Sequence, residues 1–322
     1  MRAVFLDKQT FSPSIELSNI EQQVDELICY DETSHDNVIA RSLNAEIIIT
    51  NKVVLTADIL SALPDLKLIC ISATGFNNVD INAANKLNIA VTNVSGYADQ
   101  SVSQYVFAQL LDYFQQTAHH NNNTQQGLWS NSNNFCYHGN GFSELAGKTL
   151  GIVGYGNLGK AVATIAQAFN MNVIISERPK AAKIRAGRVA FNEVIEQADI
   201  ISLHCPQTPE TELIINSAVL SRMKRNAVLI NTARGALVDE KALLTALQNN
   251  DIAYAILDVL TTEPPAKDHL LLTSDLANLK ITAHIAWASS EAQQRLIDLL
   301  CENVIAFKSN KRLNRLDDNT SV

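Results

Sequence analysis

An arginine, a carboxylate and an imidazole follow three apolar runs in the second half of this chain: Arg234 after residues 227–230, Glu263 beyond 253–257, and His284 after 279–281. Each type suits one part of a hydride transfer to a 2-oxo acid. A guanidinium can fork onto the carboxylate and carbonyl oxygens of such an acid, orienting it and stabilising charge that develops on the carbonyl oxygen. An imidazole can give a proton as hydride reaches the carbon and take it back in reverse. A carboxylate hydrogen-bonded to that imidazole fixes its tautomer. Asp258, at the end of the 253–257 run, is placed to hold the amide of a nicotinamide. Any one of these residues alone is more often a surface ion pair or a satisfied histidine, and their shared position past strand ends is what singles them out.

Ligands of an open α/β sheet bind beyond the carboxyl ends of its strands, so the elements that must position these groups are repeated strand–helix units. The organising stretch is Gly154-Tyr155-Gly156-Asn157-Leu158-Gly159, preceded by the apolar run 150–153. Leu158, Val162, Ile165, Ala166 and Phe169 then share one helical face. This is strand, tight turn, helix: glycine at 154 and 156 lets the backbone turn and approach a ligand, and glycine at 159 lets the helix pack on the strand. The first-turn N–H groups of such a helix face a pyrophosphate. A further run, 173–175, ends at Glu177, where an acid that binds the adenosine ribose is expected and favours NADH over NADPH, although Arg178 follows it. Runs at 200–203, 227–230, 253–257 and 279–281 complete a doubly wound parallel sheet.

The first hundred residues alternate short apolar runs, at 3–6, 46–50, 68–71 and 89–91, with polar helical stretches, which predicts a second parallel α/β unit. From Asp99 a long helix carries Val102, Val106, Leu110 and Phe114 at helical spacing into the central unit. Residues 115–134 are crowded with Asn, Gln and His and read as an extended, ordered arm. Ser290 and Gln293 form a capping-box pattern that opens a final helix crossing back to the first unit. The expected domains are therefore 1–99 with 287–322, and 100–286.

At 322 residues and 47% hydrophobic the chain is long enough for about two buried cores. A net charge of −8, with only the interrupted cluster Lys180, Lys183, Arg185 and Arg188, argues against nucleic acid or anionic membrane as partners. Cys29, Cys70, Cys136, Cys205 and Cys301 are far apart, no signal peptide or membrane-length apolar run is evident, and a cytoplasmic location is expected. No metal site is expected, since His119 and His120 are adjacent in a helix end and face different ways.

Five motifs in order, Gly154-x-Gly-x-x-Gly, Leu203-His-Cys-Pro-x-Thr-Pro-Glu-Thr211, Asn231-Thr-Ala-Arg-Gly, Asp258-Val-Leu-Thr-Thr-Glu-Pro-Pro and His284-Ile-Ala-Trp-Ala-Ser, resemble the D-isomer-specific 2-hydroxyacid dehydrogenases, and within them the glycerate dehydrogenase (hydroxypyruvate reductase) branch. The resemblance extends to Thr50-Asn-Lys52 and Ala73-Thr-Gly-Phe-Asn-Asn-Val-Asp80 and so covers nearly the whole chain. It implies a Rossmann nucleotide domain and a discontinuous flavodoxin-like substrate domain closing over a cleft, in a homodimer, with reduction of hydroxypyruvate and glyoxylate by NAD(P)H. It also implies that Arg234 binds substrate, that Glu263 orients His284, and that His284 is the acid/base. Lys52, Thr74, Gly75 and Trp287 would contact the substrate. Val102, the 154–159 turn, Glu177, Arg178, His204, Cys205, Pro206, Thr211, Thr232, Ala233, Arg234, Asp258 and His284 would line the cofactor. Rival expectations are a D-lactate or D-3-phosphoglycerate dehydrogenase, disfavoured by the Trp287 context and the early chain end respectively. A dinucleotide-sensing corepressor-like module is a further rival, separated by its lack of turnover.

Overall fold

The computed structural model describes residues 1–316, and the chain divides into two units: Met1–Ala98 with the chain from Trp287 onward, and Asp99–Ala286. The first unit holds β1 (Arg2–Phe5), β2 (Glu26–Cys29), β3 (Ile47–Thr50), β4 (Leu68–Ile71) and β5 (Ala90–Thr92) in the all-parallel order β2-β1-β3-β4-β5, which is flavodoxin-like. Every residue of β3, β4 and β5 is buried, which is why they read as unbroken apolar runs. Strand β2 was not expected. It is a partly exposed edge strand whose ends, Glu26 and Cys29, face solvent, so it has too little apolar length to stand out.

The helix Ser290–Lys308 belongs to this unit and buries Leu296, Ile297, Leu300 and Val304. Each such aliphatic side chain contributes about 1.5–3 kcal/mol on burial. Its cap differs from the expected one. Ser289, in extended backbone, accepts from Ala292 N at 3.1 Å. Gln293 instead donates to Ala288 O and accepts from Ser12 N, both at 2.7 Å, tying the helix to the segment after β1.

The second unit carries β6 (Thr149–Val153), β7 (Asn172–Ile175), β8 (Ile200–Leu203), β9 (Val228–Asn231), β10 (Tyr254–Leu257) and β11 (Leu279–Ile281), all parallel, in the order β11-β10-β9-β8-β6-β7. Beyond β7 the third strand of a dinucleotide fold is reduced to one residue: Val189 bridges Ser176 in parallel, with Glu177 N donating to Val189 O at 2.8 Å. The strand order reverses between β6 and β8, and the crevice for a ligand is expected there.

The helix Asp99–Gln115 opens this unit and lies on the helix Asn157–Ala168, with Phe107 stacked on Phe169 at a centroid distance of 5.4 Å. The arm that follows is not extended throughout. Gln116 takes φ 48, which breaks the first helix, and a second runs over Thr117–Gln125 before Trp129 Nε1 donates to Phe135 O at 3.0 Å. Among the described residues no helix is long and apolar enough to cross a membrane.

Candidate active site

The glycine turn at the end of β6 is shaped for close approach. Gly154 sits at φ +99, and a side chain there would collide with the backbone of His204 and Cys205 at the end of β8. A Cβ at Gly159 would meet the carbonyl of Gly154, so the helix can reach the strand only as glycine. Gly156 is different: nothing lies within 4 Å of a Cβ built there, and as N-cap it offers no side-chain acceptor to the first-turn N–H groups of Asn157–Ala168. An uncapped helix start beside open space fits a pyrophosphate. Two polar atoms at the neighbouring strand ends, His204 Nδ1 and Thr232 Oγ1, are buried and hold no hydrogen bond among the described residues, as a site that receives a polar ligand requires. The residues therefore fit a dinucleotide.

Other expected cofactor residues fall as follows. His204 Nε2 pairs with Ser202 Oγ at 2.9 Å, and burial pushes the imidazole down to about 4. Cys205 is buried, its thiol pushed up to about 11 by desolvation. Thr211 Oγ1 donates to Pro206 O at 2.7 Å and accepts from Thr208 N at 2.8 Å, fixing the loop after β8. Val102 is 4% exposed within its helix, and Ala233 is buried after β9.

Glu177, expected to face the adenosine ribose, is hydrogen-bonded within its own loop. Its side chain is 2% exposed, and its carboxylate accepts from Arg178 N at 2.7 Å, Arg185 N at 3.2 Å and Arg185 Nε at 2.6 Å, with Arg185 NH2 closing the fork. These contacts, led by the Arg185 guanidinium, hold the carboxyl far below the usual carboxylate range. The acid meant for ribose hydroxyls is committed to its own loop.

The chemical trio lies at the ends of β9, β10 and β11. Asn231, fully buried, brackets the loop after β9 by donating to Arg234 O at 2.8 Å and accepting from Ala233 N at 3.0 Å. Arg234 is half-buried, and its NH1 donates to Ala233 O at 2.6 Å. The Asp258 carboxylate, expected beside a nicotinamide amide, is hydrogen-bonded to the segment after β11. It accepts from Thr282 Oγ1 at 2.7 Å, Ile285 N at 3.0 Å and Ala286 N at 2.8 Å, so it folds the segment that carries His284. His284 adopts φ 54, and its Nδ1 donates to Glu263 Oε2 at 2.6 Å while Glu263 Oε1 accepts from Leu260 N at 2.9 Å. That bond assigns the Nδ1–H tautomer and leaves Nε2 for exchange with a ligand. Arg234, Glu263 and His284 line one cavity of about 280 Å³, and Glu263 and His284 also border an apolar cavity of about 380 Å³ walled by Leu260, Pro264 and Ile281.

The expected substrate residues lie in the first unit. Asp7 accepts from the backbone N–H of Asn51, Lys52 and Val53 and so shapes the loop after β3, from which the exposed Lys52 side chain leaves. Thr74 Oγ1 donates to Val94 O at 3.0 Å and Asn93 Nδ2 to Thr74 O at 2.7 Å, so the Thr74–Gly75 turn is held from behind. Trp287 packs edge-on against Phe11 and Tyr97, at centroid distances of 5.7 and 6.2 Å. Sequence reasoning missed Asp7, Asn231 and Arg185 as organisers. Only Asn231 carried a signal, being the first residue of a motif already singled out.

Residues 107–286 match the family described as D-isomer specific 2-hydroxyacid dehydrogenase, NAD binding domain. The chain is 40% identical over 314 residues to a glycerate dehydrogenase of Methylorubrum extorquens, covering 97% of this chain and 98% of that one. It is 35% identical over 321 residues to a hydroxypyruvate reductase of Blautia hydrogenotrophica, covering 98% and 99%. Among solved structures, an acyclic imino acid reductase in complex with NADPH and D-Arg aligns with a TM-score of 0.85 at 31% identity, over 98% of this chain and 100% of that one.

Proposed function

Because the chain belongs to the D-isomer specific 2-hydroxyacid dehydrogenases, we propose that it reduces hydroxypyruvate, and glyoxylate, to the D-2-hydroxy acid with a nicotinamide dinucleotide, reversibly. The observation that carries the chemistry is the 2.6 Å bond between His284 and Glu263 in a cavity that Arg234 also lines. The choice of acid is supported by the glycerate dehydrogenase and hydroxypyruvate reductase to which the chain is similar.

When bound, the reduced nicotinamide supplies the hydride. Arg234 donates its fork to the carboxylate and carbonyl oxygens of the 2-oxo acid, fixing the carbonyl and stabilising the charge that grows on its oxygen. His284, charged and held through Nδ1, gives the Nε2 proton to that oxygen as the carbon becomes tetrahedral. Glu263 stays ionised, keeps the ring oriented and stabilises the imidazolium. In the oxidation direction the neutral Nε2 accepts the hydroxyl proton. Asp258 acts one step back, by holding the 282–286 segment in place. Lys52 and the backbone at Thr74 and Gly75 bind the substrate carboxylate, with Trp287 shaping specificity.

The carboxylate of Glu177, on which an NADH preference would rest, is paired with Arg185. A homodimer belongs to the same proposal, supported by Phe135 and Phe142 just beyond the 115–134 arm, which are 92% and 62% exposed. A cytoplasmic location is supported by five free cysteines. Product analysis tests the reading: hydroxypyruvate and reduced cofactor should yield D-glycerate in equal amount to cofactor oxidised, and formation of the L-isomer, or no product, would sink it.

A further inference from the structure

The basic loop between Glu177 and Phe191 has no part in the reaction above. It carries Arg178, Lys180, Lys183, Arg185 and Arg188 and no acidic residue, in a chain whose net charge is −8. It stands where the third strand of the sheet would run, directly after β7, the edge at which a dinucleotide fold receives the adenosine ribose. Its cations are not equivalent. Arg188 NH1 donates to Ser176 O at 3.0 Å and so serves the backbone. Arg185 forks onto Glu177, whose carboxylate is 2% exposed and accepts two backbone N–H groups besides. Arg178 is exposed; its backbone N–H holds Glu177, while its guanidinium forms no hydrogen bond among the described residues and is felt electrostatically by Glu210 in the loop after β8.

We propose that Arg185 converts the end of β7 from a site that repels a 2′-phosphate into one that admits it. By clamping Glu177 it removes both the charge and the acceptor capacity that would select a ribose 2′-hydroxyl, and Arg178 is left to meet a 2′-phosphomonoester, so the chain takes NADPH as well as NADH. The inference rests on the reading of the 99–286 unit as a dinucleotide site and not on the identity of the 2-oxo acid. Arg185 is a positioning residue; Arg178 is the one that touches the phosphate.

Equilibrium binding of adenosine 2′,5′-bisphosphate against 5′-AMP, by calorimetry on the full chain, reads the 2′-phosphate without any turnover. The wild type should bind the bisphosphate at least as tightly as 5′-AMP. Arg185→Met frees the Glu177 charge and should lower that ratio about tenfold, the scale of one screened charge pair. Arg185→Lys, which keeps the charge without the fork, should fall between. Because Arg185→Met leaves a buried carboxylate unpaired and threatens the fold, the double variant Glu177→Gln/Arg185→Met removes both charges and should restore the ratio to within about threefold of wild type. A wild type that favours 5′-AMP tenfold or more, or an Arg185→Met protein with an unchanged ratio, overturns the proposal. If the ratios behave as stated while hydroxypyruvate is not reduced, the substrate reading fails and the 2′-phosphate site stands.

Discussion

Replacing Glu263 by glutamine isolates the positioning part of the mechanism. The carboxylate holds two partners with two oxygens: Oε2 receives His284 Nδ1 at 2.6 Å and Oε1 receives Leu260 N at 2.9 Å. A glutamine of the same shape has one acceptor oxygen, so it can keep one of these bonds and must turn an NH2 toward the other donor. If Leu260 N keeps its partner, the imidazole loses a charge-assisted bond, which contributes about 1.5–3 kcal/mol. The pair is partly open to solvent, with His284 27% and Glu263 34% exposed, which places the loss toward the lower end of that range. Carried into the transition state, this is about 10–100-fold in kcat. Steady-state kinetics with hydroxypyruvate should show the fall in kcat with KM for the acid nearly unchanged, because Glu263 acts through the ring and not on the substrate. Turnover within twofold of wild type would show that the His284–Glu263 bond does no orienting, and an equal rise in KM would place Glu263 on the substrate itself.

His284→Gln should lower kcat by about 10²–10⁴-fold while the cofactor still binds, as followed by quenching of protein fluorescence, since proton transfer acts in the transition state; near-normal turnover would remove His284 from the chemistry. Arg234→Lys should cost about 10–100-fold in kcat/KM, because a single ammonium cannot reproduce the fork onto carboxylate and carbonyl, and unchanged kinetics would refute the bidentate role. Burial holds the His204 imidazole down at about 4 against 6.5, so between those values the unfolded chain binds a proton that the folded chain excludes. Stability should therefore fall as pH drops from about 6.5 to 4, by up to about 3 kcal/mol, and His204→Asn should remove that share in urea titrations at pH 7 and 4.5; the same pH loss in both proteins would contradict the assignment.

What the sequence disclosed follows from how each element is buried. Strands β4 and β8 have the expected bounds, and β3 and β6 differ by a residue, because parallel strands covered on both faces are unbroken apolar runs. Strand β2 lies at an edge and Val189 stands alone, so neither leaves a run long enough to notice. The cap at Ser289 and not Ser290 is decided by one extended backbone, which two adjacent serines cannot reveal. The shared placement of Arg234, Glu263 and His284 was legible because ligands of such sheets bind beyond strand ends, and the structure brings all three to one cavity. The commitments of Glu177 and Asp258 were not legible. Glu177 meets Arg185 across an irregular loop in which Lys180 takes φ 58, and Asp258 meets residues 27 and 28 positions later. Residue type identified the acids, and only the folded loops show what holds them.

The central claim is that this site reduces hydroxypyruvate through Arg234 and His284, and the most direct test is kcat/KM of the purified protein for hydroxypyruvate, glyoxylate, pyruvate and 2-oxoglutarate with NADH and with NADPH. Hydroxypyruvate should have the highest value with either cofactor, and pyruvate, which lacks its hydroxyl, a lower one. A higher kcat/KM for pyruvate would move the chain to a lactate dehydrogenase, and no turnover of any of the four acids would contradict the account.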